Sequence, residues 1–176
     1  MKKSDIKKMP AYFDRYIHLT DDVTCLEALD ISLRELQEAP IETWRALNNS
    51  TYAPGKWSVK DILQHYIDTE RVFAYRITAI ARAEKQILLP YDEDAYAAEA
   101  EAVHRSVDEL WQELILLRQS TIAMYKGFQP HMFHRVGEGF NNIRYCVLSL
   151  GFMIAGHQRW HMRVLQERYY PMVQPN

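Results

Sequence analysis

Four stretches of this chain carry apolar residues at helical spacing, and no alternating strand pattern persists anywhere between them. The first runs from about Asp21 to Glu38, with Leu26, Leu29, Leu33 and Leu36 in one stripe. Asp21 or Asp22 can cap its start, and Pro40 stops it. The second begins at "WSVKDILQHY", where Ser58 and Asp61 have capping-box spacing, and should reach about Arg82 along Val59, Leu63, Tyr66, Phe73, Ile77 and Ile80. The third opens at "RSVDEL" with the same spacing, Ser106 to Glu109, and continues through Leu110, Leu114, Leu117, Thr121 and Met124. The fourth spans about Ile143 to Tyr169 and ends at Pro171. Each stripe needs a partner, and another helix is the available one. The expected fold is therefore all-α, a four-helix bundle in one domain covering 1–176, with its core over about 20–170.

The joints are long, at about 18, 20 and 17 residues, whereas antiparallel neighbours need only a few. Each is long enough to cross the bundle between parallel neighbours, or to build a pocket wall.

A formal charge of -2 leaves no global basic field for nucleic acid. The start, "MKKSDIKKMP", has no apolar run behind its basic residues and does not read as a signal peptide, and no stretch is apolar enough to span a bilayer. Cys25 and Cys146 form no close-spaced motif, which suits a reducing, cytoplasmic setting.

The stripe of the fourth helix is Val147, Leu150, Ile154, His157, His161 and Val164, so both imidazoles face the bundle interior one turn apart. Such a pair can hold one metal ion; the alternative is two core histidines satisfied by hydrogen bonds. His65, on the flank of the second helix, is the best third ligand. His18, His104, His131 and His134 fall in or near connections and read as surface residues. Three histidines leave open positions on a divalent metal, the mark of a catalytic site. The metalloprotease signature also needs a glutamate after the first histidine, and Gln158 stands there: the spacing survives without the base, which argues against a protease.

Further candidates surround this set. Glu70 lies inside the second helix's apolar stripe, where it can act as a general base or form an internal ion pair with Arg118 or Arg163. Arg76 shares His65's flank and can receive a substrate carboxylate, unless it is simply exposed. Asp92 and Asp94 can line the site's mouth or form a solvated, helix-capping stretch. Trp57 reads as a hydrophobic staple. Trp160 points about 100° away from each histidine. Cys146 reads as a small core residue.

The stretches "YAPGKWSVKDILQHYIDTERVFAYRITAIAR", "LLPYDEDAY" and "IAGHQRWHMRVLQERYY" resemble, in this order, the second-helix region, the segment after it and the last helix of the DinB/YfiT-like metalloenzymes. The resemblance covers roughly Tyr16 to Tyr170. It implies an up-down-down-up bundle, often a homodimer, and a divalent metal, zinc or nickel foremost, held by His65, His157 and His161. Gln158 departs from the pattern, standing where many members have glutamate. The family includes enzymes that transfer low-molecular-weight thiols, such as bacillithiol S-transferases and a mycothiol-dependent isomerase, and others described as hydrolases. The expected function is transfer of such a thiol to an electrophilic substrate through a metal-bound thiolate. A hydrolase using metal-bound water and a non-catalytic metal-binding stress protein are the alternatives. The expected partner is a small molecule, not nucleic acid or a membrane.

Overall fold

The computed structural model describes residues 1–173. A single turn, α1 (Asp14–Ile17), precedes the first long helix, α2 (Cys25–Gln37). A short α3 (Ile41–Leu47) leads to α4 (Val59–Ala81), and a short α5 (Glu93–Glu99) leads to α6 (Val107–Lys126). A small ribbon of β1 (Val136–Glu138) and β2 (Arg144–Cys146) comes before α7 (Val147–Val164). The chain then widens into a π-helical turn over Leu165–Tyr169.

Local chemistry sets the helix starts. Ser58 and Ser106 accept the backbone N–H of Asp61 and Glu109, whose carboxylates return to the serine N–H, so α4 and α6 begin where their capping spacing predicts. The first long helix starts later than expected. Thr24 and Glu27 make the reciprocal pair, while Asp22 accepts the Ser4 N–H and Asp21 pairs with Arg159. Pro40 ends α2 but also opens α3, which buries Trp44 and Leu47 completely. The last helix begins at Val147 and not Ile143, because β2 pairs antiparallel with β1, Gly137 opposite Tyr145. Three-residue strands carry too little alternation to show in a sequence.

Helix directions follow from the pairs that meet. Cys25 Sγ lies against Gly151 and Ser32 O accepts from Gln158 Nε2 at 2.9 Å, so α2 and α7 run parallel. Arg71 meets Glu113 and Thr78 meets Met124, so α4 and α6 run parallel. Leu36 O accepts from Trp111 Nε1 at 2.7 Å while Ser32 Oγ meets Arg118, so α2 and α6 are antiparallel. The order is up-down-down-up, and the long joint between α4 and α6 has to travel back along the bundle.

The apolar interior comes in two halves. One gathers Leu29, Phe73, Ile77, Ile122, Phe152 and Ile154; the other gathers Leu36, Trp44, Leu63, Leu110, Leu114 and Leu165. Between them Ser32, Glu70, Arg118, Gln158 and Thr69 are all buried, and this polar layer runs up to the histidines. No helix among the described residues is long and apolar enough to cross a membrane.

Candidate metal centre

The antiparallel pair α4 and α7 brings His65 against His157 and His161. Nε2 of His157 lies 3.0 Å from Nε2 of His65 and 3.1 Å from Nε2 of His161. One ligand atom from each residue lies within 4.8 Å of both others. Imidazole nitrogens bound at about 2.0–2.1 Å to one cation, at angles between octahedral and tetrahedral, stand about 2.9–3.4 Å apart. The two close contacts fall in that interval. Hydrogen bonds account for the geometry less well. A neutral imidazole nitrogen carries either one proton or one lone pair, yet His157 Nε2 faces two neighbours at once. A divalent cation satisfies all three lone pairs, so the residues fit such an ion.

Electrostatics keep those lone pairs free. Burial pushes His65 down to about 4, and burial with the charge of His65 pushes His161 to about 3. His157 falls well below its ordinary value, chiefly through burial and then through the two other histidines and Arg118. All three are neutral at pH 7.

Surrounding groups hold the rings. Thr69 Oγ lies 3.4 Å from His65 Nδ1, and Tyr91 OH meets Thr69 in turn. That contact favours a proton on Nδ1, leaving Nε2 to ligate. The Tyr16 ring sits edge-on to His157, centroids 5.2 Å apart. It comes this close because Gly156 has no side chain: a Cβ there would lie 1.8 Å from the Tyr16 carbonyl oxygen. Trp57 packs on His65 at 4.8 Å between centroids and stacks over His161 at 6.4 Å.

The trio opens on a cavity of about 390 Å³. Arg76 lies in its wall, 6% exposed, its Nη2 donating to Leu89 O at 2.7 Å, with no carboxylate among the described residues paired to it. Arg15 lies in the same wall, stacked 3.8 Å over Tyr12, its buried Nε without a hydrogen-bond partner. Glu93 is the one carboxylate lining the cavity among the described residues, and it is exposed.

The remaining candidates divide. Glu70 forms the internal ion pair and is not a free base: Arg118 Nε donates to its Oε1 at 2.9 Å and Arg118 Nη2 to its Oε2 at 3.0 Å. Asp92 accepts from Asp94 N and Ala95 N as the cap of α5 and lies outside the cavity, which corrects its placement at the mouth. Asp94 lies beyond Trp57, on a neighbouring cavity. His18, His104, His131 and His134 are exposed. Sequence reasoning missed Arg15, Tyr16 and Tyr91 and read Trp57 only as a staple. The signal for Trp57 was its place just before the helix that carries His65.

Among curated proteins, none matches this sequence. In fold, the chain is similar to YfiT from Bacillus subtilis, described as a probable metal-dependent hydrolase with an unusual four-helix bundle topology. The likeness has a TM-score of 0.71 over 96% of this chain and 93% of that one, at 16% sequence identity. The family model of the DinB superfamily matches residues 20–165, which takes in all four long helices and all three histidines. The chain belongs to the DinB superfamily.

Proposed function

We propose that this protein is a divalent-metal-dependent enzyme, with zinc or nickel as the metal, that transfers a low-molecular-weight thiol to a small electrophilic substrate. The observation that carries the reading is the convergence of three neutral imidazole nitrogens on a cavity whose wall holds an arginine without a counter-charge. A cation bound there would acidify a coordinated thiol or water, supplying a nucleophile at neutral pH. His65, His157 and His161 hold it, and their lack of charge leaves its full charge at the reacting centre. Arg76 receives a carboxylate of the substrate or thiol. Trp57 and Tyr16 pack against the imidazoles and hold their orientation. In the transfer, the thiol gives its proton to solvent, a sulfur–carbon bond forms, and the leaving group departs with its electron pair.

Hydrolysis is the second reading, favoured by the fold shared with YfiT. Thiol transfer is preferred because Glu70 is committed to Arg118 and position 158 is an amide. Among the described residues no other buried carboxylate is left to take a proton from water or give one to a leaving group.

The test uses protein purified without a histidine tag. Metal content is measured in the wild type and in His65→Ala, His157→Ala and His161→Ala, and turnover is then followed with a bimane electrophile plus thiols and with p-nitrophenyl esters. About one equivalent of metal, lost in all three variants, with thiol-dependent turnover, supports the reading. Ester turnover without thiol replaces it with a hydrolase. Metal without turnover leaves a non-catalytic metal-binding protein, and absence of metal after incubation with zinc or nickel overturns it.

A further inference from the structure

The contact that holds His65 has a direction. With Nε2 of His65 as the ligand atom, the ring proton sits on Nδ1, and Thr69 Oγ, 3.4 Å away, accepts it. Thr69 is buried on α4, and its oxygen meets one other polar group, the Tyr91 hydroxyl. A threonine hydroxyl has one proton to give, and leaving it unbonded in a buried place is costly. Thr69 makes no other hydrogen bond among the described residues, so its proton goes to the Tyr91 oxygen. The proton of Tyr91 is then left over, and among the described residues no group accepts it.

Tyr91 stands where that proton can be used. It lines the same cavity as the three histidines and Arg76. The joint that carries it is pinned: Leu89 O accepts from Arg76, and the Tyr91 ring packs on Tyr96 with centroids 5.1 Å apart. Burial pushes the Tyr91 hydroxyl up to about 12, so it keeps its proton at pH 7. It approaches through the Nδ1 side of His65, away from the ligating nitrogen. It therefore meets an atom some bonds beyond a reacting sulfur, and not the sulfur itself.

We propose that the Tyr91 hydroxyl is a catalytic hydrogen-bond donor to the electrophile, and that this electrophile is one whose displaced electron pair comes to rest on an oxygen it keeps, an unsaturated carbonyl compound or an epoxide. This rests on the thiol-transfer reading above and narrows its substrate class. In the carbonyl compound the thiolate sulfur bonds to the β-carbon and the π pair moves to give an enolate. In the epoxide the sulfur–carbon bond forms as a carbon–oxygen bond breaks. Either way negative charge arrives on oxygen, where a fixed O–H donor stabilises it. The product takes up from solvent the proton that the thiol released, and nothing is oxidised or reduced. Thr69 is a positioning residue, which sets the direction of the Tyr91 proton.

The test compares zinc-loaded wild type with Tyr91→Phe, which should keep its zinc and its melting temperature. The first readout needs no turnover: 4-dimethylaminocinnamaldehyde, bound without thiol, absorbs further to the red when its carbonyl oxygen accepts a hydrogen bond. Its band should lie further to the red in the wild type than in Tyr91→Phe. The second readout is turnover of 3-mercaptopropionate with three electrophiles: 4-phenyl-3-buten-2-one, styrene oxide and monobromobimane, whose bromide leaves without needing a donor. Tyr91→Phe should slow the ketone or the epoxide roughly a hundredfold and leave the bimane within about threefold. Equal aldehyde bands, an equal loss on all three electrophiles, or a wild type that uses only the bimane overturns the proposal while thiol transfer stands. Loss of zinc in Tyr91→Phe would make Tyr91 a support for His65 and also overturn it. No turnover with any of the three removes the transfer reading, and this role with it.

Discussion

The carbonyl oxygen of Tyr16 occupies the space where a side chain at Gly156 would begin, 1.8 Å from an ideal Cβ. Two elements far apart in the chain thus share one packing point directly beside His157. Gly156→Ala should destabilise the protein although alanine favours a helix by about 1 kcal/mol over glycine. Backbone has to move, at a cost of about 1–3 kcal/mol or more, lowering Tm by about 5–10 °C. Trp160 fluorescence, which senses its Tyr16 contact, should change with it. An unchanged melt and spectrum would show that α1 does not seat here.

Glu70 and Arg118 make the second prediction. Both side chains are 3% exposed, and Arg118 also reaches Ser32 and Gln158. Glu70→Gln leaves a buried guanidinium without its counter-charge, at about 3–5 kcal/mol. The expected loss is in stability, measured by urea unfolding, and the double variant Glu70→Leu with Arg118→Met should lose less than the two single losses added together. A Glu70→Gln protein of normal stability that had lost only turnover would return Glu70 to the role of a base.

These residues also show what a sequence can and cannot carry. Ser58 with Asp61 and Ser106 with Glu109 mark helix starts because a cap is a bond between residues three apart. His157 and His161 are legible because helical period alone turns both inward. Glu70's burial is legible too, but the choice between Arg118 and Arg163 depends on how α6 and α7 pack. Trp57 meets His161 only after α4 and α7 converge, a contact between residues 104 apart (161 minus 57) that no local pattern encodes. Arg76 looks like any flank arginine until the crossover after α4 folds the Leu89 carbonyl onto it. Pro40 reads as a stop, and its second role as the opening of α3 appears only once Trp44 is buried between helices.

Acid should destabilise the metal-free protein. An unfolded histidine titrates near 6.5, whereas His65 and His161 in the fold titrate at about 4 and about 3. Between these values the unfolded chain binds more protons, so stability rises with pH there. The stability is complete above about pH 6.5 and is lost as pH falls through the folded values, with His65 alone worth about 3 kcal/mol across the window. Urea midpoints of chelator-treated protein from pH 7.5 to pH 4.5 measure it. His161→Phe should have a shallower slope, and equal slopes in the two proteins would remove the histidines as the cause.

Arg76 should behave as a residue kept for binding at the expense of stability. Its guanidinium is desolvated, which lowers its pKa, and it is held by one carbonyl and two aromatic faces, Phe73 at 5.7 Å and Tyr145 at 5.9 Å. Removing a buried charge that lacks a counter-ion relieves its desolvation, so Arg76→Met should leave stability unchanged or raise it by about 1 kcal/mol. Carboxylate ligands should nonetheless bind roughly tenfold more weakly, the loss of one charge-assisted pair. Thermal melts together with calorimetric titration of 3-mercaptopropionate into metal-loaded protein separate the two effects. A large fall in stability with unchanged binding would make Arg76 a structural strut between α4 and the crossover, and would leave the cavity without its anion receptor.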